Sequence, residues 1–285
     1  MPLPAASPTM SAPEFQGLRD FIYAKTGIFF NESKQYFLEN RLQRRLGDLK
    51  LRTYREYLDL VQGGAGREEL KQLFIEITTN ETSFWRNPPQ IEAFQRVVLP
   101  EAVKLARDRG ATKFRIWSAA CSSGEEPYTL AMVCAEAKDG PLKGLQVEIL
   151  ATDISERVLA QAKQAVYGSY TLRNLSPAQL QRHFTQQGPD QFEAKPELRQ
   201  MVGFRNVNLV DYPAYRSLGT FDIIFCRNVL IYFDDAVKRK VLQGFHEQLA
   251  PRGYLLVGHS ESIHAFNTGF ELMHFSKAMG YRKRG

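Results

Sequence analysis

Apolar positions recur at helical spacing from Pro13 to about Pro89. Phe15, Leu18 and Ile22 fall on one face, Leu38, Leu42, Leu46 and Leu49 on another, and Leu70, Phe74 and Ile77 on a third. Pro13 suits a first helical turn. Thr53 and Glu56 have capping-box spacing ahead of a short helix from Tyr54, and Gly63, Gly64 and Gly66 punctuate the chain before the next one. No strand candidate interrupts this stretch. It predicts a small all-helical domain over 13–89, closed by the break at Asn87-Pro88-Pro89, with 90–109 as a linker helix.

After Arg109 the period changes. Strand-like runs at 114–120, 147–153, 221–228 and 254–259 alternate with helical stretches that include 128–138, 156–166 and 235–249. Such alternation predicts an α/β domain over 90–285, its parallel sheet covered on both faces. Runs at 270–276 and 278–283 predict a terminal antiparallel hairpin. The rhythm breaks between Gly168 and Arg205, where Ser176-Pro177 caps a short helix and a hairpin turns near Gly188-Pro189. This reads as a small β insertion, about 168–206, and insertions often carry partner specificity. There is no internal repeat.

Composition narrows the class. With 285 residues, 44% hydrophobic and 24% charged, the chain is an ordinary globular protein, and no apolar run approaches the roughly 20 residues that cross a bilayer. Residues 1–12, rich in Pro, Ala and Ser, read as a mobile tail without the basic and apolar regions of a secretory signal. Cys121, Cys134 and Cys226 form no CxxC pair, which points to reduced thiols in a cytoplasmic protein and away from disulfides or structural zinc. A net charge of +6 admits nucleic acid, an anionic membrane surface or an acidic protein as partner. Arg41, Arg44, Arg45, Lys50, Arg52 and Arg55 cluster near the N-terminus; taken alone, such a run is a solvated helix face.

The most informative stretch is 114–132, where a strand breaks into a small-residue loop and then a helix. That geometry holds a nucleotide at the carboxyl end of a parallel strand. The loop, however, has one glycine, Gly124, followed by Glu125 and Glu126. Two carboxylates at a helix start repel a pyrophosphate and attract a cation. The nucleotide-like cofactor with positive charge is S-adenosylmethionine, so methyl transfer is expected. Asp153, ending the next strand, suits the two ribose hydroxyls, although an acid there can also cap a helix. Asn228 follows a buried strand at the sheet's open edge; Asn208 lies where it could approach adenine or be a plain loop amide. The polar segment 78–86 beside two aromatics reads as a binding surface or as capping residues. Asn87-Pro88-Pro89 is misplaced, ahead of the first strand, for the amino-methylating signature of nucleic-acid enzymes. The histidines show no ligand spacing and pair with no nucleophile, and no metal is expected.

TTNETSFWR (78–86), SAACSSGEEPYTLA (118–131), ATDIS (151–155) and FCRNVLIYF (225–233), followed by LLVGHSES (255–262), occur in this order. They resemble the CheR-type chemotaxis receptor protein-glutamate O-methyltransferases, over essentially 13–283. The resemblance implies a helical receptor-recognition domain, an S-adenosylmethionine-binding α/β domain and an inserted β-subdomain. It places cofactor contacts on Asn80, Thr82, Arg86, Glu125, Asp153, Asn208, Leu209, Asn228 and Val229. Glu125 would suit the cofactor's ammonium or a neighbouring polar contact, and Arg86 its methionyl carboxylate or the incoming acceptor. Arg86 and Tyr232 are the candidates for orienting that acceptor. The basic face, with Arg41, Arg44, Arg45, Arg52 and Arg55, would meet acidic signalling helices of chemoreceptors. In many members the β-subdomain binds a receptor C-terminal peptide by strand addition, yet the turn at 188–193 is short for that type. The expected reaction makes glutamyl methyl esters and S-adenosylhomocysteine, without nucleic acid or membrane insertion. The alternatives are an RNA or DNA methyltransferase and a non-catalytic S-adenosylmethionine-binding signalling module.

Overall fold

The structure, a computed structural model, describes residues 8–266 and 269–285. Chain contacts divide it into two compact units, 1–79 with 232–234, and 80–231 with 235–285. The break falls at Thr79/Asn80, ahead of the boundary expected at Pro89. Segment 80–89 is bonded into the second unit: Phe84 N donates to the Thr171 carbonyl (2.9 Å) and Trp85 N to Thr129 Oγ1 (3.2 Å). Of the expected mobile tail 1–12, residues 1–7 lie outside the described residues. Met10 is buried instead, donating from N to Glu39 Oε2 (2.9 Å) and accepting at O from Gln35 Nε2 (2.6 Å).

The first unit contains α1 (Ala12–Thr26), α2 (Gln35–Leu49), α3 (Tyr54–Gln62) and α4 (Arg67–Ile77). Pro13 sits in the first turn of α1, which Gly27 ends at φ 70°. The Thr53–Glu56 capping box starts α3, with Glu56 N donating to Thr53 Oγ1 at 3.1 Å. Phe15, Leu18 and Ile22 are buried, as are Leu38, Leu42 and Leu46, while Leu49 is half-buried. In α4 the buried side is Glu69, Leu73, Ile75 and Ile77, whereas Leu70 and Phe74 are only half-buried. The face is rotated from the one expected because the Glu69 carboxylate is drawn inward by Arg45 and by the Tyr57 hydroxyl, at 2.9 Å.

The second unit opens with α5 (Pro88–Ala93), a π-turn at Phe94–Val98 and α6 (Leu99–Asp108), which together occupy the expected linker helix. The π-turn precedes Pro100, which has no N–H to give to the turn before it. Next come β1 (Lys113–Ala119), α7 (Glu125–Glu136), β2 (Gln146–Asp153) and α8 (Glu156–Gln164). A small antiparallel sheet, order β3-β5-β4, is made by β3 (Val166–Tyr167), β4 (Phe184–Gly188) and β5 (Gln191–Ala194). The short helices α9 (Ser169–Leu172), α10 (Pro177–His183) and α11 (Pro196–Arg199) accompany it. The chain continues through β6 (Val202–Asn206), α12 (Tyr212–Arg216), β7 (Phe221–Cys226), α13 (Asp235–Gln248) and β8 (Leu249–Val257), and closes with β9 (Phe270–Phe275) and β10 (Ala278–Lys283).

The main sheet has the order β6-β2-β1-β7-β8-β10-β9, with β6 through β8 parallel and β10 antiparallel to both its neighbours. This is the expected α/β methyltransferase-type sheet with a terminal hairpin and a small β insertion. The insertion is shorter at its end than 168–206, since 202–206 is the parallel edge strand β6, in register with β2 from Val202 opposite Ile149. β7 is buried at every position, as a central parallel strand requires. Trp117 packs its ring against Tyr215, Phe221 and Phe245, with centroids 5.3–5.4 Å away, an aromatic cluster at the middle of the sheet. The three cysteines are free and buried. Among the described residues no helix is long and apolar enough to cross a membrane.

Candidate active site

The parallel strands point their carboxyl ends to one edge, where the loops after β1, β2, β6 and β7 meet. The loop after β1 carries three left-handed residues, Ala120 (φ 64°), Ser122 (φ 50°) and Gly124 (φ 98°). For the two non-glycines this conformation costs about 1–3 kcal/mol each and persists only where neighbours hold it. Here they do. Cys121 N donates to Thr152 O (2.8 Å), Ser122 N to Asp153 Oδ2 (2.9 Å), and the Tyr167 hydroxyl to Ser123 O (2.9 Å). A Cβ on Gly124 would stand 2.7 Å from the Tyr167 hydroxyl and 2.9 Å from Ala162 Cβ, so both backbone shape and space require glycine.

Asp153 ends β2 and is 6% exposed. Its Oδ2 accepts from Ser122 N and its Oδ1 from Ser155 N (2.9 Å), while burial pushes its pKa above the usual carboxylate value against those bonds. Each oxygen keeps a second lone pair. Asn208 and Leu209 lie just beyond β6, whose exit is tied to the same corner: Val207 N and Asn206 Nδ2 both reach the Asp153 carbonyl (3.1 and 3.0 Å). Asn208 Oδ1 accepts from Val210 N, and Leu209 is buried.

Glu125 and Glu126 have different surroundings. Glu125 is 2% exposed, accepts from Ser123 Oγ (2.8 Å), and has no cationic partner among the described residues. Desolvation raises its pKa. Glu126 is already neutralised: it accepts from Ser118 Oγ (2.7 Å) and pairs with Arg227 Nη1 (3.2 Å), the two side chains being 13% and 4% exposed. Of the two carboxylates that follow Gly124, therefore, only Glu125 is left for a ligand.

Asn80, Thr82 and Arg86 lie on the segment leading into α5. The Asn80 carbonyl accepts from Ser122 Oγ (3.0 Å), fixing this segment to the loop after β1. Thr82 and Arg86 are half-buried, and Arg86 Nη1 donates to the Glu81 carbonyl (2.8 Å). The Arg86 carbonyl accepts from Arg227 Nη2 (2.6 Å), so the Glu126–Arg227 pair joins β1, α7, the end of β7 and the Arg86 segment. Asn228 and Val229 follow directly, half-buried, with Asn228 left-handed at φ 60°. Tyr232, four positions on, groups with the helical unit, where its carbonyl accepts from Phe29 N (2.9 Å).

Glu261 was not singled out by the sequence. It is 7% exposed and gathers three backbone N–H groups: Asn228 (2.7 Å), Gly258 (2.6 Å) and Ile231 (3.3 Å). It therefore holds the turn after β7 against the end of β8. Gly258 makes room for it, since a Cβ there would meet Glu261 Oε2 at 2.6 Å and Asn228 N at 3.1 Å. The only signal in the sequence was the small polar run LLVGHSES. The Glu126–Arg227 pair was equally unforeseen, its partners being far apart in the chain.

The basic candidates belong to the helical unit and differ among themselves. Arg44 is 89% exposed and Arg55 70%, with Asp48 at 3.8 Å and Asp59 at 3.0 Å. Arg41 lies over the Phe37 ring at 5.0 Å, and Arg52 is exposed. Arg45 departs from the expected solvent-facing set: it forms a forked pair with Glu69 and ties α2 to α4.

S-adenosylmethionine fits the edge of the sheet. Glu125 offers a buried carboxylate without a countercharge, which a cationic group would relieve. Asp153 offers free lone pairs, and Ser155 Oγ beside it is buried without a partner. The comparisons agree. Residues 80–279 match the family described as CheR methyltransferase, SAM binding domain, and residues 13–78 match CheR methyltransferase, all-alpha domain. Chemotaxis protein methyltransferase 2 of Vibrio cholerae is 37% identical over 270 residues, 95% of this chain and 92% of that one. Chemotaxis protein methyltransferase 1 of Pseudomonas aeruginosa is 38% identical over 275 residues, covering 95% and 98%, and Cher2 of Pseudomonas putida is 36% identical over 274 with the same coverage. The chain therefore belongs to the CheR methyltransferase family, with S-adenosylmethionine as its cofactor.

Proposed function

We propose that this enzyme methylates glutamate side-chain carboxylates of chemoreceptors, giving glutamyl methyl esters in sensory adaptation, and that it acts in the cytoplasm. The observation that carries this reading is the match of 95% of the chain, across both units, to proteins named chemotaxis protein methyltransferase. The cofactor supplies an electrophilic methyl group on a sulfonium. The acceptor glutamate, with a reference pKa of about 4.3, is ionised at neutral pH and needs no general base. The protein's part is to position and to exclude water. Glu125 receives the cofactor's ammonium and Asp153 its ribose hydroxyls. Asn80, Thr82, Asn208, Leu209, Asn228 and Val229 line the rest. Arg86 and Tyr232 orient the carboxylate groups, and Arg41, Arg44, Arg52 and Arg55 meet the receptor's acidic helices. In domain terms, 13–79 recognises the receptor and 80–285 carries the chemistry.

The same reading has the receptor docking without a tethered C-terminal peptide. β4 and β5 are joined by the two residues Pro189 and Asp190 alone, and Asp190 is bound back to Ser169 N (2.7 Å). This supports a closed hairpin with no projecting loop to hold an added strand. The test is transfer of label from methyl-labelled S-adenosylmethionine into membranes containing receptors with and without their C-terminal peptide. Equal labelling of both supports the proposal. Label only on the peptide-bearing receptor overturns the docking mode, and label appearing only with RNA or DNA overturns the substrate class.

A further inference from the structure

Beside the cofactor loops, a cleft of about 470 Å3 opens between the end of β8 and the β9–β10 hairpin. One wall is Gly258, the residue against which Asn228 packs, so the cleft adjoins the turn after β7. Gln90 ties the two walls, donating from Nε2 to the Val257 carbonyl (2.8 Å) and the Met279 carbonyl (3.3 Å). The exposed polar side chains of the lining are of one kind: His259, His274 and Lys277. Among the described residues the one carboxylate in the lining, Glu261, is consumed by its three backbone N–H donors. Met279, 47% exposed, stands directly across the hairpin from His274 and adds an apolar surface next to it.

We infer that this cleft binds an acidic segment of the acceptor protein that flanks the glutamate being methylated. An ammonium and two imidazoles that donate hydrogen bonds, with no free acid among them, complement side-chain carboxylates. The exposed Met279 takes an apolar neighbour of those acids. This rests on the proposed function and deepens it, because it gives the α/β unit its own hold on the acceptor. The cleft sets which acceptor segments are presented, while the cofactor residues set how fast a presented carboxylate reacts.

The experiment uses the full chain, a receptor cytoplasmic fragment and labelled S-adenosylmethionine. Lys277→Glu, His274→Ala and the double variant are surface changes; cofactor affinity is measured calorimetrically beside the transfer kinetics. The KM for receptor is expected to rise roughly five- to tenfold in Lys277→Glu and further in the double variant. kcat at saturating receptor and cofactor affinity should stay within about twofold, and Lys277→Arg should restore the wild-type KM. An unshifted receptor KM in the double variant, with the wild type active, overturns the cleft while leaving the methyltransferase reading intact. Absence of transfer by the wild type to the same fragment overturns both.

Discussion

Glu125 is a buried acid with no cationic partner among the described residues, and that isolation has a measurable consequence. Burial holds its pKa above the ordinary value of about 4.5 in the free enzyme. A cationic ligand binds the ionised form, so cofactor affinity should fall as pH is lowered through that raised value and level off above it. Glu125→Gln should weaken binding by roughly tenfold or more and flatten the pH dependence, since a charged hydrogen bond is lost. Calorimetric titration across the acid range measures both. Parallel pH curves for the two proteins would place the cofactor's charge elsewhere. Two arginines one position apart offer a second contrast. Arg45→Ala strips a mostly buried pair from Glu69 and should destabilise the helical unit by about 2 kcal/mol, seen as faster hydrogen exchange in α2 and α4. Arg44→Ala should leave exchange unchanged and raise the KM for receptor. The sequence could not separate these two, because the residue that recruits Arg45 lies 24 positions away.

Among the elements, the turn after β7 shows what local sequence conveys and what it hides. The buried strand and the polar Arg227-Asn228 exit were legible in the near-continuous apolar run of 221–226 and the polar pair that ends it. Their restraints were not. Glu261 reaches Asn228 across 33 positions, and Glu126 reaches Arg227 across 101. Glu261→Gln places an amide NH2 against backbone N–H donors. The expected result is a loss of cofactor affinity of roughly 10- to 100-fold. Gly258→Ala, which crowds the same carboxylate, should reproduce it. Full cofactor affinity in both variants would remove Glu261 from any positioning role. Other errors share this origin. The rotated face of α4 follows from Glu69 being pulled inward, which hydrophobic periodicity cannot register. The short strand ahead of Asn208 reads from the sequence as the insertion's exit, because its parallel pairing with β2 is made to residues about fifty positions earlier.

For the whole molecule, the change of period near residue 109 was enough to anticipate a helical unit followed by an α/β unit, and the order of motifs was enough to suggest the family. The boundary itself was displaced by the proline pair. Pro88 and Pro89 look like a linker, yet they start α5, and the preceding segment is already held by Ser122, Thr129 and Thr171. The early break follows from those bonds: Asn80, Thr82 and Arg86, which the proposed function assigns to the cofactor, are built into that unit. The two units thus divide the work in the proposed function, with an exposed basic surface for the acceptor on one and fixed carboxylates for the cofactor on the other. Exposed charge of this kind acts chiefly on encounter, so raising salt should increase the receptor KM more than it lowers kcat.

The central claim is the chemistry of the acceptor: a glutamate carboxylate on a chemoreceptor. It is tested most directly by incubating the enzyme with a receptor cytoplasmic fragment and S-adenosylmethionine, then mapping methylated peptides by mass spectrometry before and after mild alkali. The expected result is methyl groups on glutamates of the signalling helices that alkali removes as methanol. Methyl groups that survive alkali, or that map to nitrogen-bearing side chains, would contradict it.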